Sequence, residues 1–216
     1  MTQPLATIAT SRNEDWWQTR HQQKLAEIQI IHQPLDILFL GDSITHAWEV
    51  EGEKSWQQHF AHLQVCNLGY AGDRTEHLLW RIQQGEIANL EAKTVVLLIG
   101  TNNAGHRLDS PQDIAAGVEA ILTELKQRLP HSKIILMAIF PRSRNTNKPM
   151  RRRVDATNLL LKEFADGKQV IWLDINHHFL TEDGTLLESV MPDLLHPNDL
   201  QYDIWAKEVL NNFDAW

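Results

Sequence analysis

The chain has 216 residues, of which 43% are hydrophobic, and this is enough for one compact domain with a substantial core. Its 28 acidic residues outnumber its 20 basic ones, and the net charge of -8 disfavours a general attraction to nucleic acid or to anionic membranes. The single cysteine, Cys66, excludes an intramolecular disulfide and fits a reducing compartment.

The beginning of the sequence gives no sign of export. The segment MTQPLATIATSRNEDWW lacks the basic region and the continuous apolar region of a secretory signal. No apolar run approaches the roughly 18 residues that a membrane-spanning helix needs. We therefore expect a cytoplasmic protein without a stable membrane anchor. No repeat or linker divides the chain, so residues 1–216 are predicted to form one domain, with residues 1–33 as a helical extension packed on it.

The first predicted element is a helix, and five apolar runs of strand length follow it. Ser11 and Glu14 have the spacing of a capping box in front of DWWQTRHQQKLAEIQI. The apolar runs are rich in Ile, Val and Leu and are continuous, which is typical of strands buried on both faces of a parallel sheet. They lie at residues 36–40, 63–68, 94–99, 133–139 and 169–173.

Segments of helical periodicity separate the later strands. The clearest spans residues 110–129, where Ser110 suits the N-cap, Pro111 suits the first turn, and apolar residues recur every three or four positions. Similar segments span residues 150–165 and 198–213. Because crossover helices join parallel strands, the pattern predicts a three-layer α/β/α sandwich with a five-stranded parallel sheet. Ligands of such sheets bind beyond the carboxyl ends of the strands.

Small polar residues follow each of the first three strands. Ser43 lies at the corner after the first strand, where exposed backbone N–H groups surround a hydroxyl. Gly72, after the second, would let another N–H approach, and Asn102, after the third, would add an uncharged donor. Together they have the composition of an oxyanion hole around a nucleophilic serine. Each residue alone is equally compatible with a helix cap or a turn.

A nucleophilic serine needs a base, and the base needs an orienting group. Two Asp-x-x-His pairs are expected near the carboxyl edge of the sheet, Asp193 with His196 and Asp174 with His177, and spacing does not separate them. His46 is a third candidate base, although it lacks an obvious orienting carboxylate. The histidines show no metal-ligand spacing, so we expect neither a metal nor another cofactor.

Four sequence blocks resemble the SGNH (GDSL) hydrolases in their order along the chain: FLGDSIT, NLGYAGDRTEHLLWRI, LLIGTNNAG and PDLLHP. Within that family the chain looks most like the catalytic subunits of the intracellular platelet-activating-factor acetylhydrolases. The resemblance implies a flavodoxin-like SGNH fold, with Ser43 as nucleophile, His196 as base and Asp193 as its orienting group. It also implies that Gly72 and Asn102 donate to the oxyanion beside the backbone N–H of Ser43.

The implied activity is that of a serine esterase that hydrolyses short-chain, acetyl-type carboxylic esters through an acyl-enzyme. Ile44, Thr101 and Leu194 adjoin the expected catalytic residues and are interpreted as the wall of an acyl pocket. A thioesterase, a lysophospholipase or a carbohydrate O-acetylesterase could use the same site. A non-catalytic binding module is a rival from another class, but the chain lacks a phosphate-binding glycine loop.

Three further features allow two interpretations each. The basic segment 142–153 is either a solvated surface or a site for an anionic headgroup or a partner. Tyr70, in the second block, would narrow the mouth of the site if it pointed there. Trp16 and Trp17 would cover either one face of the sandwich or a homodimer contact.

Overall fold

The computed structural model describes residues 3–213, and its centre is a sheet of five parallel strands. The strands are β1 (Leu35–Gly41), β2 (Val65–Gly69), β3 (Ala92–Leu98), β4 (Lys133–Met137) and β5 (Val170–Leu173). Their order across the sheet is β2-β1-β3-β4-β5, with every neighbouring pair parallel. The order reverses beside β1, and such a switch point opens a crevice at the carboxyl edge of the sheet.

Helices cover both faces of the sheet. They are α1 (Asp15–Gln29), α2 (Ser43–His46), α3 (Glu53–Phe60), α4 (Thr75–Gln83), α5 (Pro111–Arg128), α6 (Pro149–Lys162) and α7 (Asp199–Phe213). Leu38 and Leu40 of β1 belong to a core cluster with α1, α4, α5 and α6, whereas Ile37 and Phe39 belong to a second cluster with α2, α3 and α7. The predicted three-layer α/β/α sandwich is thereby confirmed.

Helix α5 forms as its sequence predicts. The Ser110 hydroxyl accepts a hydrogen bond from the backbone N–H of Asp113 at 3.1 Å, and Pro111 occupies the first turn. The periodic apolar face is buried against the sheet, with Ile114, Val118 and other residues of the stripe inside the first core cluster.

The predicted capping box before α1 is wrong. Glu14 itself occupies the N-cap position, without a capping hydrogen bond from its side chain, and its carboxylate pairs with Arg12 at 2.5 Å. The nearby guanidinium offers the carboxylate a charge-assisted partner, which a backbone N–H cannot match. Two helices were not anticipated, α3 and α4, because they are only 8 and 9 residues long and too short to display a clear period.

The N-terminal segment packs on the α4 and α5 side of the sheet. Trp17 and Ile28 of α1 are buried in the first core cluster, and Ala6 is buried where a short 3-10 helix, Leu5–Thr7, contacts α5. That residues 1–216 form a single domain stays a prediction. Within residues 3–213, no helix combines the length and the apolar character that crossing a bilayer would require.

Candidate active site

Ser43 lies at the corner where β1 gives way to α2. The N-cap is Asp42, whose carboxylate accepts the backbone N–H of Ile44 at 3.0 Å while its carbonyl accepts that of His46 at 2.8 Å. Ser43 is therefore the first residue of α2 and not its cap. Its backbone N–H is one of the first-turn groups that have no acceptor within the helix, and its hydroxyl is not needed for capping.

The Ser43 hydroxyl contacts His196, which the loop before α7 carries. Ser43 Oγ lies 2.9 Å from His196 Nε2, and His196 Nδ1 lies 2.6 Å from Asp193 Oδ2. The other carboxylate oxygen of Asp193 accepts the backbone N–H groups of Leu195 and His196 at 3.0 and 2.7 Å. Both oxygens of the aspartate are thus occupied, and this fixes the carboxylate against the imidazole.

Asp193 is held in its ionised form. Partial burial pushes its pKa upward, but the hydrogen bonds from the backbone and ring of His196 outweigh it and lower the pKa below the ordinary value. An ionised acceptor requires the proton of the imidazole on Nδ1, which leaves Nε2 as the acceptor for the hydroxyl proton of Ser43.

The sheet order brings the three predicted oxyanion donors to neighbouring strand ends. Since β1 lies between β2 and β3, Ser43 is flanked on one side by residues 69–73, which we call the oxyanion loop, and on the other by Asn102. Gly72 has φ of +74°, a left-handed conformation that favours glycine. The Asn102 amide donates to the backbone carbonyl of Asp73 at 2.9 Å, which joins the two flanking loops. One amide N–H of Asn102 remains for a further acceptor.

Asp42 is a buried carboxyl next to the predicted nucleophile. It is 1% exposed, and burial raises its pKa to about 7, against the opposing effects of the Ile44 N–H and of the nearby His196. Burial thus favours the neutral form of this carboxyl.

A cavity of about 690 Å³ opens beside Ser43 and His196. Among the described residues, its lining contains the carboxylates of Glu51, Asp193 and Asp199 and no lysine or arginine. The remaining lining residues are His46, Ala47, Val50, Ala71, Pro192, Pro197 and Asn198.

His46, the third candidate base, is part of this cavity wall. Its Nδ1 accepts the backbone N–H of Ala71 at 3.3 Å. Burial, helped by the charge of Arg20, lowers the pKa of His46 to about 4, so the ring is neutral at physiological pH.

The three residues expected to form the acyl pocket do not line this cavity. Ile44 is buried in the second core cluster, because one step along α2 turns its side chain away from that of Ser43. Thr101 is also buried, and Leu194 lines a separate cavity of about 600 Å³ together with Arg142. Their role in binding the acyl group stays a prediction.

The second Asp-x-x-His pair is not assembled. Asp174 accepts the backbone N–H of Asn176 at 2.9 Å, and the ring of His177 packs on that of His178 with 4.0 Å between centroids. Neither residue lines the cavity beside Ser43. Of the two pairs that spacing left open, the geometry favours Asp193 with His196.

The structure also shows where the aromatic and basic residues with two open interpretations lie. Tyr70 is fully buried and donates its hydroxyl to Glu86 at 2.6 Å, so it does not narrow the site. Trp17 is buried in the core, whereas Trp16 is 45% exposed. Arg142 belongs to the basic segment 142–153, for which the sequence allowed a solvated surface or a site for an anionic headgroup or a partner. It is buried and donates to the carbonyl of Thr101 at 2.6 Å, a long-range contact that no local pattern in the sequence indicates.

Known proteins resemble this chain in sequence and in fold. Residues 39–204 match the model of the GDSL-like lipase/acylhydrolase family. The alpha2 subunit of platelet-activating factor acetylhydrolase IB from Rattus norvegicus is 33% identical over 186 residues, covering 86% of this chain and 78% of the relative. The human alpha1 subunit is 30% identical over 190 residues, covering 86% of this chain and 78% of the relative.

Solved structures show the same fold. A GDSL-like lipase from Bacteroides thetaiotaomicron superposes with a TM-score of 0.75 at 16% identity, covering 90% of this chain and 97% of the other. An acetylxylan esterase from Geobacillus stearothermophilus superposes with a TM-score of 0.66 at 20% identity, covering 84% and 95%. With the family model spanning most of the chain, this protein belongs to the GDSL-like lipase/acylhydrolase family and is a carboxylic ester hydrolase.

Proposed function

We propose that the protein is a serine esterase that hydrolyses short-chain, acetyl-type esters, with Ser43 as nucleophile, His196 as base and Asp193 as its orienting group. The observation that carries the proposal is the continuous chain of contacts from Ser43 Oγ to His196 at 2.9 Å and from His196 to Asp193 at 2.6 Å. A hydroxyl, an imidazole and a carboxylate in this order are the parts of an activated serine.

In the first half-reaction, the Ser43 oxygen attacks the ester carbonyl while its proton moves to His196 Nε2. The resulting oxyanion accepts hydrogen bonds from the backbone N–H groups of Ser43 and Gly72 and from the Asn102 amide, and each such donor is worth roughly 3 kcal/mol. The carbon–oxygen bond to the alcohol then breaks, and the departing alcohol takes the proton from His196. An acyl ester on Ser43 remains.

In the second half-reaction, water replaces the alcohol. His196 accepts a proton from the water as its oxygen attacks the acyl carbonyl, and the same donors hold the second oxyanion. The bond to Ser43 breaks, the proton returns to the serine oxygen, and the carboxylic acid leaves. General base catalysis of this kind contributes roughly 10²–10⁴-fold to the rate.

Two observations support an acetyl ester of a neutral or cationic alcohol. Relatives and structural neighbours include proteins named for acetyl ester hydrolysis, a platelet-activating factor acetylhydrolase subunit and an acetylxylan esterase. Among residues 3–213, the cavity beside Ser43 is lined by three carboxylates and by no lysine or arginine, which disfavours polyanionic alcohols and thiols. Coenzyme A thioesters are therefore expected to be poor substrates, and a carbohydrate acetyl ester is the stronger alternative.

The test is turnover of p-nitrophenyl acetate and longer p-nitrophenyl esters by the wild type and by Ser43→Ala, with acetylated xylo-oligosaccharides and acetyl-CoA measured in parallel. We expect the acetyl ester to be hydrolysed fastest and Ser43→Ala to be inactive while its circular dichroism is unchanged. Treatment with a fluorophosphonate should place one adduct on Ser43 in the mass spectrum. A folded wild-type protein that forms no adduct on Ser43 would contradict the proposal and favour a binding module.

A further inference from the structure

The oxyanion loop, residues 69–73, is held by side chains that come from the N-terminal segment. Arg20 Nε donates to the carbonyl of Gly69 at 2.9 Å, and Arg12 Nη1 donates to the carbonyl of Ala71 at 2.9 Å. Trp17 Nε1 donates to the carboxylate of Asp73 at 2.7 Å. Gly69, Ala71 and Asp73 are thus all bound by residues of the segment 12–20, and Arg12 Nη1 also lies 3.6 Å from the Asp73 carboxylate.

The contact with Ala71 bears on the proposed oxyanion donor through peptide geometry. The carbonyl of Ala71 and the N–H of Gly72 belong to one planar trans peptide unit, in which they point in opposite directions. A hydrogen bond that fixes the direction of the Ala71 carbonyl therefore fixes the direction of the Gly72 N–H. The guanidinium charge also polarises the peptide, which makes this N–H a stronger donor.

Gly72 makes such a restraint necessary. Its φ of +74° is accessible because glycine has no Cβ, and the same freedom lets the preceding peptide rotate at low cost. Arg12 also covers the α-carbon of Gly72, since a Cβ there would lie 2.8 Å from Arg12 Nη1. The backbone N–H of Ala71 is held as well, because the His46 ring accepts it.

The contacts that fix Asp73 also bear on Asn102, the side-chain donor in the proposed oxyanion site. The Asp73 carboxylate is fully buried and accepts both the Trp17 indole N–H and the Arg81 Nε–H, the latter at 3.0 Å. Its backbone carbonyl accepts the amide of Asn102. A carbonyl can only accept, so this bond decides which end of the Asn102 amide faces the loop and directs the remaining N–H elsewhere.

We propose that Arg12 is a positioning residue of the active site, which aligns the Gly72 N–H with the oxyanion by binding the carbonyl of Ala71. Trp17 and Arg20 assist it by fixing the flanking residues. The inference rests on the proposed function, in which Gly72 donates to the oxyanion. It makes the N-terminal segment part of the catalytic apparatus, although no residue of that segment contacts the reacting atoms.

The test compares Arg12→Ala and Arg12→Lys with the wild type on p-nitrophenyl acetate. Misalignment of one oxyanion donor should lower kcat by about tenfold to hundredfold in Arg12→Ala while KM changes by less than about twofold, because the donor acts mainly in the transition state. Lysine can reach the same carbonyl with one donor, so Arg12→Lys should recover part of kcat. An unchanged kcat in Arg12→Ala, or a loss confined to KM, would overturn the proposal.

Arg128→Ala is the matched control. Arg128 also pairs with a carboxylate, Glu124, at 2.8 Å, but it lines a cavity with Ala92 and Ser132 at the amino end of the sheet. Its kcat should equal that of the wild type. An equal loss in this variant would assign the effect to a general loss of charge and overturn the positioning role.

A second measurement does not depend on turnover. The amide NMR resonance of Gly72 should shift and broaden in Arg12→Ala, as the peptide samples two orientations, and should stay unchanged in Arg128→Ala. A Gly72 resonance that is the same in Arg12→Ala and the wild type would overturn the proposal even if the protein were not an esterase. The esterase assignment itself is tested separately, by the turnover of p-nitrophenyl acetate in Ser43→Ala.

Discussion

At the corner between β1 and α2, two adjacent side chains have separate tasks. Asp42 caps the helix by accepting the Ile44 N–H, so the Ser43 hydroxyl is free to hydrogen-bond with His196. A serine that capped its own helix would point its oxygen at backbone N–H groups. The capping by Asp42 thus leaves both the hydroxyl and the first-turn N–H of Ser43 available at the mouth of the cavity.

The orientation of His196 by Asp193 can be tested with Asp193→Asn. The amide would present N–H to Nδ1 of the imidazole and favour the tautomer with its proton on Nε2, which cannot accept the proton of Ser43. We expect kcat for p-nitrophenyl acetate to fall about 10³–10⁴-fold. Asp174→Asn, in the unassembled second pair, is the control and should keep wild-type turnover; loss of activity there with retention in Asp193→Asn would reverse the assignment.

The buried carboxyl of Asp42 predicts a dependence of stability on pH. Its pKa is raised from an ordinary 3.8 to about 7 in the fold, so between these values the folded protein holds a proton that the unfolded chain has released. The free energy of unfolding therefore falls as pH rises through this window. Asp42→Asn removes this titration, and its unfolding free energy relative to wild type should rise by on the order of 2–4 kcal/mol between about pH 4 and pH 8.

Urea unfolding followed by tryptophan fluorescence at the two pH values measures this difference. Comparing the variant with the wild type isolates Asp42 from His196, Asp73 and Arg142, whose charges also act on it. A difference in unfolding free energy that is independent of pH would show that Asp42 is ionised throughout the range.

At the scale of elements, α5 packs closely against α4 and the N-terminal 3-10 helix at Gly117. Gly117 in the middle of α5 is buried where α5 meets the first residue of α4 and the short helix Leu5–Thr7. A Cβ at this position would lie 2.4 Å from Thr75 Oγ1 and 2.7 Å from the carbonyl of Ala6. These two atoms are already hydrogen-bonded to each other at 2.9 Å. The contact also helps to seat the N-terminal segment that binds the oxyanion loop.

Gly117→Ala should therefore destabilise the protein, although helix propensity favours alanine by about 1 kcal/mol. We expect a net loss of about 1–3 kcal/mol in the free energy of unfolding, because the clash is with backbone and with a bonded hydroxyl. Urea unfolding at neutral pH measures it. Ala116→Gly, one residue away and half-buried, should lose about 1 kcal/mol from propensity alone; a gain in stability for Gly117→Ala would contradict the close packing.

At the scale of the whole molecule, the two faces of one sheet contribute to two hydrophobic core clusters. Alternate residues of β1 enter opposite clusters, Leu38 on the α5 side and Phe39 on the α7 side. Neither helical layer can separate without exposing apolar strand residues to water. This supports the prediction of a single domain; a homodimer through Trp16 also remains a prediction.

Thermal unfolding should accordingly be a single transition. We expect the calorimetric peak to coincide with the loss of far-ultraviolet circular dichroism and with the change in tryptophan fluorescence. The tryptophans report on both layers, since Trp17 lies in the first cluster and Trp205 in the second. Two separated transitions would contradict the assignment of residues 1–216 to one domain.

The sequence by itself predicted the α/β/α architecture, which the structure confirms, and it named the candidate reacting residues, whose roles remain a prediction. Continuous apolar runs require burial on both faces, and this constraint is local enough to be read without a structure. Ser43, Gly72 and Asn102 each follow a predicted strand, so a parallel sheet had to bring them to one edge. The blocks that resemble a known family then favoured His196 over His177.

Only the tertiary structure decided what depends on contacts between distant segments. No sequence pattern assigns a contact to Arg12 or Arg142, yet Arg12 binds the oxyanion loop and Arg142 is buried against Thr101. Ile44 adjoins Ser43 in the sequence but faces the core, because a helical step rotates neighbouring side chains apart. Hydrogen bonds and burial between residues tens of positions apart have no local signature, so they are settled only when the chain is folded.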